Sequence, residues 1–165
     1  MRITSLAEHG VICSLHLARR GGDHRVTGRE IAQVEQISAD TVEQILLKLR
    51  RAGIVQSTRG TNGGYALARP ASEISIRDII AAAEATPFVI NCDSHPVGAD
   101  RCSTSHSCSI RPVWMLLQRK IDEVLDGVKL SDLLSGEGAE GAVGERIGLP
   151  DVAWSPRSLP VITTH

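Results

Sequence analysis

ISADTVEQILLKLRRAGIVQSTRGTNGGYALARP, residues 37–70, changes its hydrophobic period partway along, and that change decides the fold. Val42, Ile45, Leu46 and Leu49 stand at i, i+3, i+4 and i+7, which is one face of a helix. Ser38 can cap its first turn, and Gly53 stands where a left-handed stop is expected. Beyond Gly53 the pattern turns extended: IVQST, the glycine-rich RGTNGG, then YALAR before Pro70. This is a β-hairpin, with Asn62, Gly63 and Gly64 able to take positive φ at its turn.

Upstream, Ser5 and Glu8 form a capping-box pattern ahead of Leu6, Val11, Ile12, Leu15 and Ala18, a first helix running toward Arg19 and Arg20. Thr27 and Glu30 form a second such pattern ahead of a short helix whose inner face includes Ile31 and Val34. Two helices joined by QIS, the second longer, make a helix-turn-helix, and a hairpin directly after it is a wing. The expected fold is mainly α with a small β-hairpin, a winged helix-turn-helix. At 2% aromatic and 42% hydrophobic residues, its core must rest on Leu, Ile, Val and Ala.

Charge supports a polyanionic partner. Residues 1–69 carry ten Lys/Arg against six Asp/Glu, whereas residues 70–165 carry eight against thirteen. The winged helix would place its second helix in the major groove of double-stranded DNA and its wing against the neighbouring minor groove or backbone. Ser38, Asp40, Thr41, Glu43 and Gln44 then stand near the start of the reading helix, where a Gln amide can pair with adenine and a Glu carboxylate can accept from the cytosine amino group. Lys48, Arg50, Arg51 and Arg59 would neutralise phosphates, and Thr61 and Asn62 share the wing tip with Arg59. A solvated helix face or a protein-binding module is the competing reading of the same residues.

Ser75, with Asp78 three places on, starts a fourth helix through IRDIIAAAEA, which ends before Pro87 and packs against the first. The stretch NCDSHPVGADRCSTSHSCSIRP, residues 91–112, then gathers three of the four cysteines where hardly any side chain is apolar. No run of about 18 apolar residues and no export-signal layout is present, so a cytoplasmic location without membrane contact is expected. Thiols are kept reduced there, and Cys92, Cys102 and Cys108 are better read as metal ligands than as disulfides. Soft thiolates favour an iron-sulfur cluster or zinc, and three of them leave one coordination position open. His95 or His106 could fill it, with zinc as the alternative that makes a closed structural site. Cys13, inside the first helix, reads as a small buried hydrophobe.

From Pro112, Trp114, Leu117, Ile121, Val124 and Val128 step by three, four, three and four, a heptad seam suited to a homodimer, and two-fold pairing implies a palindromic operator. The divisions expected are a DNA-binding domain over 1–86, a cysteine-rich loop over 87–111, a long dimerisation helix over 112–135 and a flexible tail over 136–165, rich in Gly and Pro. No oxyanion-loop signature, phosphate-binding glycine loop or paired-carboxylate motif stands in the chain, so no enzyme is expected.

The start MRITS, the segment from ISADTVEQ through SIRDII with its RGTNGG wing, and the three cysteines after the fourth helix resemble the IscR, NsrR and RirA family of iron-sulfur transcriptional regulators, over roughly residues 1–135. The resemblance implies a homodimeric winged-helix regulator, a repressor, whose cysteine loop holds a cluster responding to nitric oxide, oxidants or iron supply. It also places Glu43 and Gln44 at base-reading positions and Arg59 at the start of the DNA-touching wing. Members with a two-iron cluster often carry a His three residues after the last cysteine, where this chain has Arg111. Four-iron nitric-oxide sensors take a carboxylate from near the N-terminus of the partner subunit, at the position of Glu8. A four-iron cluster on Cys92, Cys102, Cys108 and Glu8 is therefore the implied set, although Glu8 could instead serve the Ser5 cap.

Overall fold

The computed structural model describes residues 3–21, 24–60, 63–84, 111–138 and 144. The first helix, α1, spans Ser5–Arg20, α2 spans Gly28–Glu35 and α3 spans Ala39–Arg51. Strands β1 (Val55–Thr58) and β2 (Gly64–Leu67) form the hairpin, and α4 (Ile76–Ala83) and α5 (Arg111–Gly127) follow. Among the described residues the chain is mainly helical with one two-stranded sheet, a winged helix-turn-helix.

The α3 seam is as the spacing predicts. Val42, Ile45, Leu46 and Leu49 are all fully buried, Ser38 Oγ accepts from Thr41 N at 3.2 Å, and Gly53 has φ 71°. Between α2 and α3 the backbone reverses through Gln36 at φ 55°, the one non-glycine residue with positive φ among those described, and Ile37 anchors the turn in the core.

The wing pairs antiparallel in the register Val55↔Leu67, Gln56↔Ala66, Ser57↔Tyr65 and Thr58↔Gly64. Its turn uses glycine differently from the expectation. Gly64 takes positive φ as expected, at 158°, but Gly60, at φ 111°, does so in place of Gly63. Gly63 is needed for space, because a Cβ there would stand 2.5 Å from Thr58 O and 2.8 Å from Gly60 O.

On α1 the sequence reading needs correction. The cap is Thr4, whose hydroxyl accepts from Ala7 N at 3.4 Å, so Ser5 and Glu8 do not form a capping box. The fully buried face is Ala7, Gly10, Cys13, Ser14 and Leu17, while Leu6, Val11, Ile12, Leu15 and Ala18 flank it half-buried. Small side chains let α4 approach closely: a Cβ on Gly10 would lie 3.0 Å from Ala83 Cβ. Ser14 tolerates burial because its hydroxyl donates to Gly10 O at 2.8 Å. Cys13 is a buried hydrophobe as expected, and burial, with the nearby Glu35 carboxylate, pushes its thiol up to about 12.

Helix α2 departs in two places. Thr27 accepts from Glu30 N at 3.1 Å, but the Glu30 carboxylate turns to Arg20 at 2.8 Å instead of completing the box. Val34 faces outward, 56% exposed, while the short helix turns Ile31 into the core with Ala32 packed beside it. An interaction not legible in the sequence joins α1 to the end of α2: buried His16 meets Glu35 through Nδ1 at 2.6 Å from Oε1.

Helix α4 begins with a complete capping box. Ser75 Oγ accepts from Asp78 N at 3.0 Å, and Asp78 Oδ2 accepts from Ser75 N at 3.3 Å. Helix α5 ends at Gly127, short of the expected 135, and the chain turns into a 3-10 segment, Leu130–Gly138. Ile76 N donates to Val128 O at 3.0 Å and Leu130 N to Ile74 O at 2.9 Å, which stitches the foot of α5 to the start of α4. Arg77 adds ion pairs to Asp122 and Asp126 on α5 at 3.4 and 3.2 Å. Among the described residues no helix is long and apolar enough to cross a membrane.

Candidate nucleic-acid interface

The α3 face opposite the core presents Asp40, Glu43 and Gln44 to solvent, with Ser38 exposed and Thr41 half-buried at its start. The hydroxyls of Ser38 and Thr41 share a 2.7 Å hydrogen bond and serve the helix cap, so Asp40, Glu43 and Gln44 are the groups with reach. Glu43 is held: Tyr65 OH on β2 donates to Glu43 Oε2 at 2.9 Å, and the other carboxylate oxygen lies against Gly28 at the start of α2, where any Cβ would collide with it. The phenol's pKa is raised, first by burial and then by that carboxylate, so the hydroxyl stays a donor at neutral pH.

Of the four basic residues expected at phosphates, two are exposed with neither a side-chain hydrogen bond nor an ion pair among the described residues, Arg51 and Arg59. Arg50 is exposed and also donates to Ser57 Oγ at 3.1 Å, tying α3 to the wing. Lys48 is different: half-buried, its Nζ donates to Ala83 O at 2.8 Å, capping the last turn of α4. It is a structural tie and not an open phosphate ligand. Thr61 and Asn62 lie outside the described residues.

Sequence reasoning missed Arg25, Arg29 and Tyr65. Exposed Arg25 lies alongside the wing, where a Cβ on Gly64 would be 3.2 Å from its Cβ, and Arg29 is exposed on the first turn of α2. Arg25 adds positive charge beside the wing and Arg29 at the start of α2, and only the charge excess of residues 1–69 hinted at them. Tyr65 N donates to Val26 O at 2.8 Å and Val26 N to Tyr65 O at 2.9 Å, so the wing is also paired to the segment ahead of α2.

Cys92, Cys102, Cys108, His95 and His106 lie outside the described residues, as do Pro87 and most of the expected tail. Glu8 is exposed on the first turn of α1, with no side-chain hydrogen bond or ion pair among the described residues. His9 Nδ1 and Glu84 Oε1 are buried without hydrogen-bond partners among those residues, on either side of the Gly10–Ala83 approach, and residue 85 follows directly.

The expected dimer seam divides. Trp114, Leu117 and Val124 are 43%, 45% and 41% exposed, and Ile121 is half-buried. Val128 is 6% exposed and belongs to the protomer's own core, because the turn after α5 folds it against Ile76. Val113, Met115 and Leu116 are exposed too, so the first half of α5 is apolar nearly all round and the second half is bound to α4.

Residues 3–136 match the family model Rrf2, described as an iron-dependent transcriptional regulator. The chain is 32% identical over 139 residues to the HTH-type transcriptional regulator IscR of Cereibacter sphaeroides, covering 83% of this chain and 89% of that one. Among solved structures, T. potens IscR superposes with TM-score 0.65 at 32% identity, covering 81% of this chain and 86% of the other. CymR, the global cysteine regulator of B. subtilis, superposes with TM-score 0.66 at 28% identity, covering 82% and 97%.

Proposed function

The chain belongs to the Rrf2 family of DNA-binding transcriptional regulators, which are not enzymes, and from that premise we propose that it is a homodimeric repressor whose grip on a palindromic operator is set by an iron-sulfur cluster. The observation that carries this reading is the position of the three cysteines. They stand between α4, whose last turn Lys48 joins to the reading helix, and α5, whose apolar half is exposed. The solved structures similar to this chain include a cysteine regulator as well as IscR.

The donor types available suit such a cofactor. Cys92, Cys102 and Cys108 supply soft thiolates, and Glu8 supplies a carboxylate that no helix cap engages. Orphaned polar atoms remain at Glu84 Oε1, the last described residue before the segment, and at His9 Nδ1, next to Glu8 in the chain. Cys92, Cys102 and Cys108, with Glu8 of the partner subunit, would hold a four-iron cluster. When bound, it supplies iron whose non-thiolate ligand exchanges more readily than a cysteine, which suits a sensor of nitric oxide, oxidants or iron scarcity.

The chain's own residues then carry the signal. Because Cys92 follows α4 and Cys108 precedes α5, a shared ligand set ties the reader to the dimer axis, and Lys48 passes a shift of the α4 terminus to α3. Trp114, Leu117, Ile121 and Val124 form the two-fold seam, and Arg51 and Arg59 hold phosphates while Glu43 and Gln44 read bases.

The test is anaerobic purification followed by the absorption spectrum and iron, sulfide and zinc content. Visible absorption with iron and acid-labile sulfide is expected, bleached by nitric oxide and weakened in Glu8→Ala. A colourless protein containing zinc and no iron contradicts the cluster.

A further inference from the structure

Tyr65 stands on the wing, yet its hydroxyl is spent on the reading helix. We infer that Tyr65 is a positioning residue for base selection: with Gly28, it fixes the Glu43 carboxylate in the one orientation from which it accepts a hydrogen bond from a base in the groove. The inference rests on the DNA-reading role proposed for α3.

Three observations converge. The hydroxyl donates to Glu43 Oε2 at 2.9 Å, across 22 residues and between two elements. Its backbone cannot give way, because both its N–H and its C=O are bonded to Val26 and its strand is paired to β1. On the other side, Gly28 leaves room for Glu43 Oε1 only by having no side chain. A glutamate on an exposed helix face ordinarily samples several rotamers and would bond to a base only after losing that freedom. Here the freedom is removed in advance, and the carboxylate stays exposed with lone pairs to spare. A carboxylate accepts and never donates, so the base preferred at the facing position is one offering an amino group, with cytosine the best match in the major groove. The wing thereby acts in base choice without touching the base.

The experiment is selection from a randomised duplex pool by the intact protein and by Y65F, E43A, Y65F/E43A and G28A, with affinities measured on duplexes varied one position at a time. Wild type should enrich a two-fold motif, and E43A should flatten one symmetric pair of positions. Y65F should lose roughly three- to tenfold of the preference at that same pair, the scale of one hydrogen bond, while other positions hold. Y65F should add nothing in the E43A background. G28A, which displaces the carboxylate from the opposite side, should weaken the same pair and no other. A wild-type motif that Y65F and G28A leave unchanged overturns the positioning role. No enriched motif with wild type overturns the DNA-reading proposal itself.

Discussion

Lys48 Nζ donates to the carbonyl oxygen of Ala83 at 2.8 Å, so a side chain of α3 closes the last turn of α4, the helix that leads into the cysteine segment. Lys48→Met keeps the aliphatic stem and removes the donor, leaving that carbonyl without its charged partner. The variant should lose about 1–2 kcal/mol of stability in a urea titration. Its salt dependence of DNA binding should keep the wild-type slope, because the Lys48 ammonium is engaged at the Ala83 carbonyl.

Arg51 and Arg59 should behave in the opposite way. Each is exposed and free of ion pairs among the described residues, so replacement by Ala leaves stability within about 0.5 kcal/mol. Each should weaken binding to all duplexes alike, and reduce the slope of log affinity against log salt by roughly 0.9 for every phosphate that is no longer neutralised. Fluorescence anisotropy across a salt series reads this directly.

The apolar half of α5 gives a third expectation. Leu117→Glu alters a side chain that is 45% exposed in the protomer, so the helical circular dichroism should persist. Sedimentation should show a monomer, and binding to a two-fold operator should fall steeply. A Leu117→Glu dimer of wild-type affinity would place the seam elsewhere. Leu49→Ala, by contrast, empties a fully buried core position and should cost ~2–5 kcal/mol.

Cys13 adds a pH dependence. Its thiol is pushed from 9.0 to about 12 in the fold, so between those values the unfolded chain has lost a proton that the folded chain keeps. Stability from this group is complete below pH 9 and is lost as pH rises toward 12. Urea midpoints of wild type and Cys13→Ala should therefore converge as the pH is raised from neutral into that window. Iodoacetamide should leave Cys13 unlabelled until the protein unfolds.

The α3 seam, its Ser38 cap, the Gly53 stop and the Ser75 capping box were legible in the sequence because each depends on neighbours within a few positions. The α1 face was not: Ala7, Gly10, Cys13 and Ser14 on its buried side are small residues that carry little hydrophobic signal, and the close approach of α4 selects Gly10. Lys48, Tyr65 and His16 were missed as ties for a related reason. Their partners lie 35, 22 and 19 residues away, and no local pattern announces them. Val128 continues the heptad in the sequence, yet the turn after Gly127 folds it into the core.

The measurement that bears most directly on cluster control is the affinity of wild-type protein for its selected operator, taken anaerobically before and after nitric oxide, beside a variant with Cys92, Cys102 and Cys108 replaced by Ser. Affinity should fall at least about tenfold, about 1.4 kcal/mol, on exposure, and the variant should show no response. Equal affinity before and after exposure, or an unaltered response without the three thiols, would contradict control of the operator by a cluster on those cysteines.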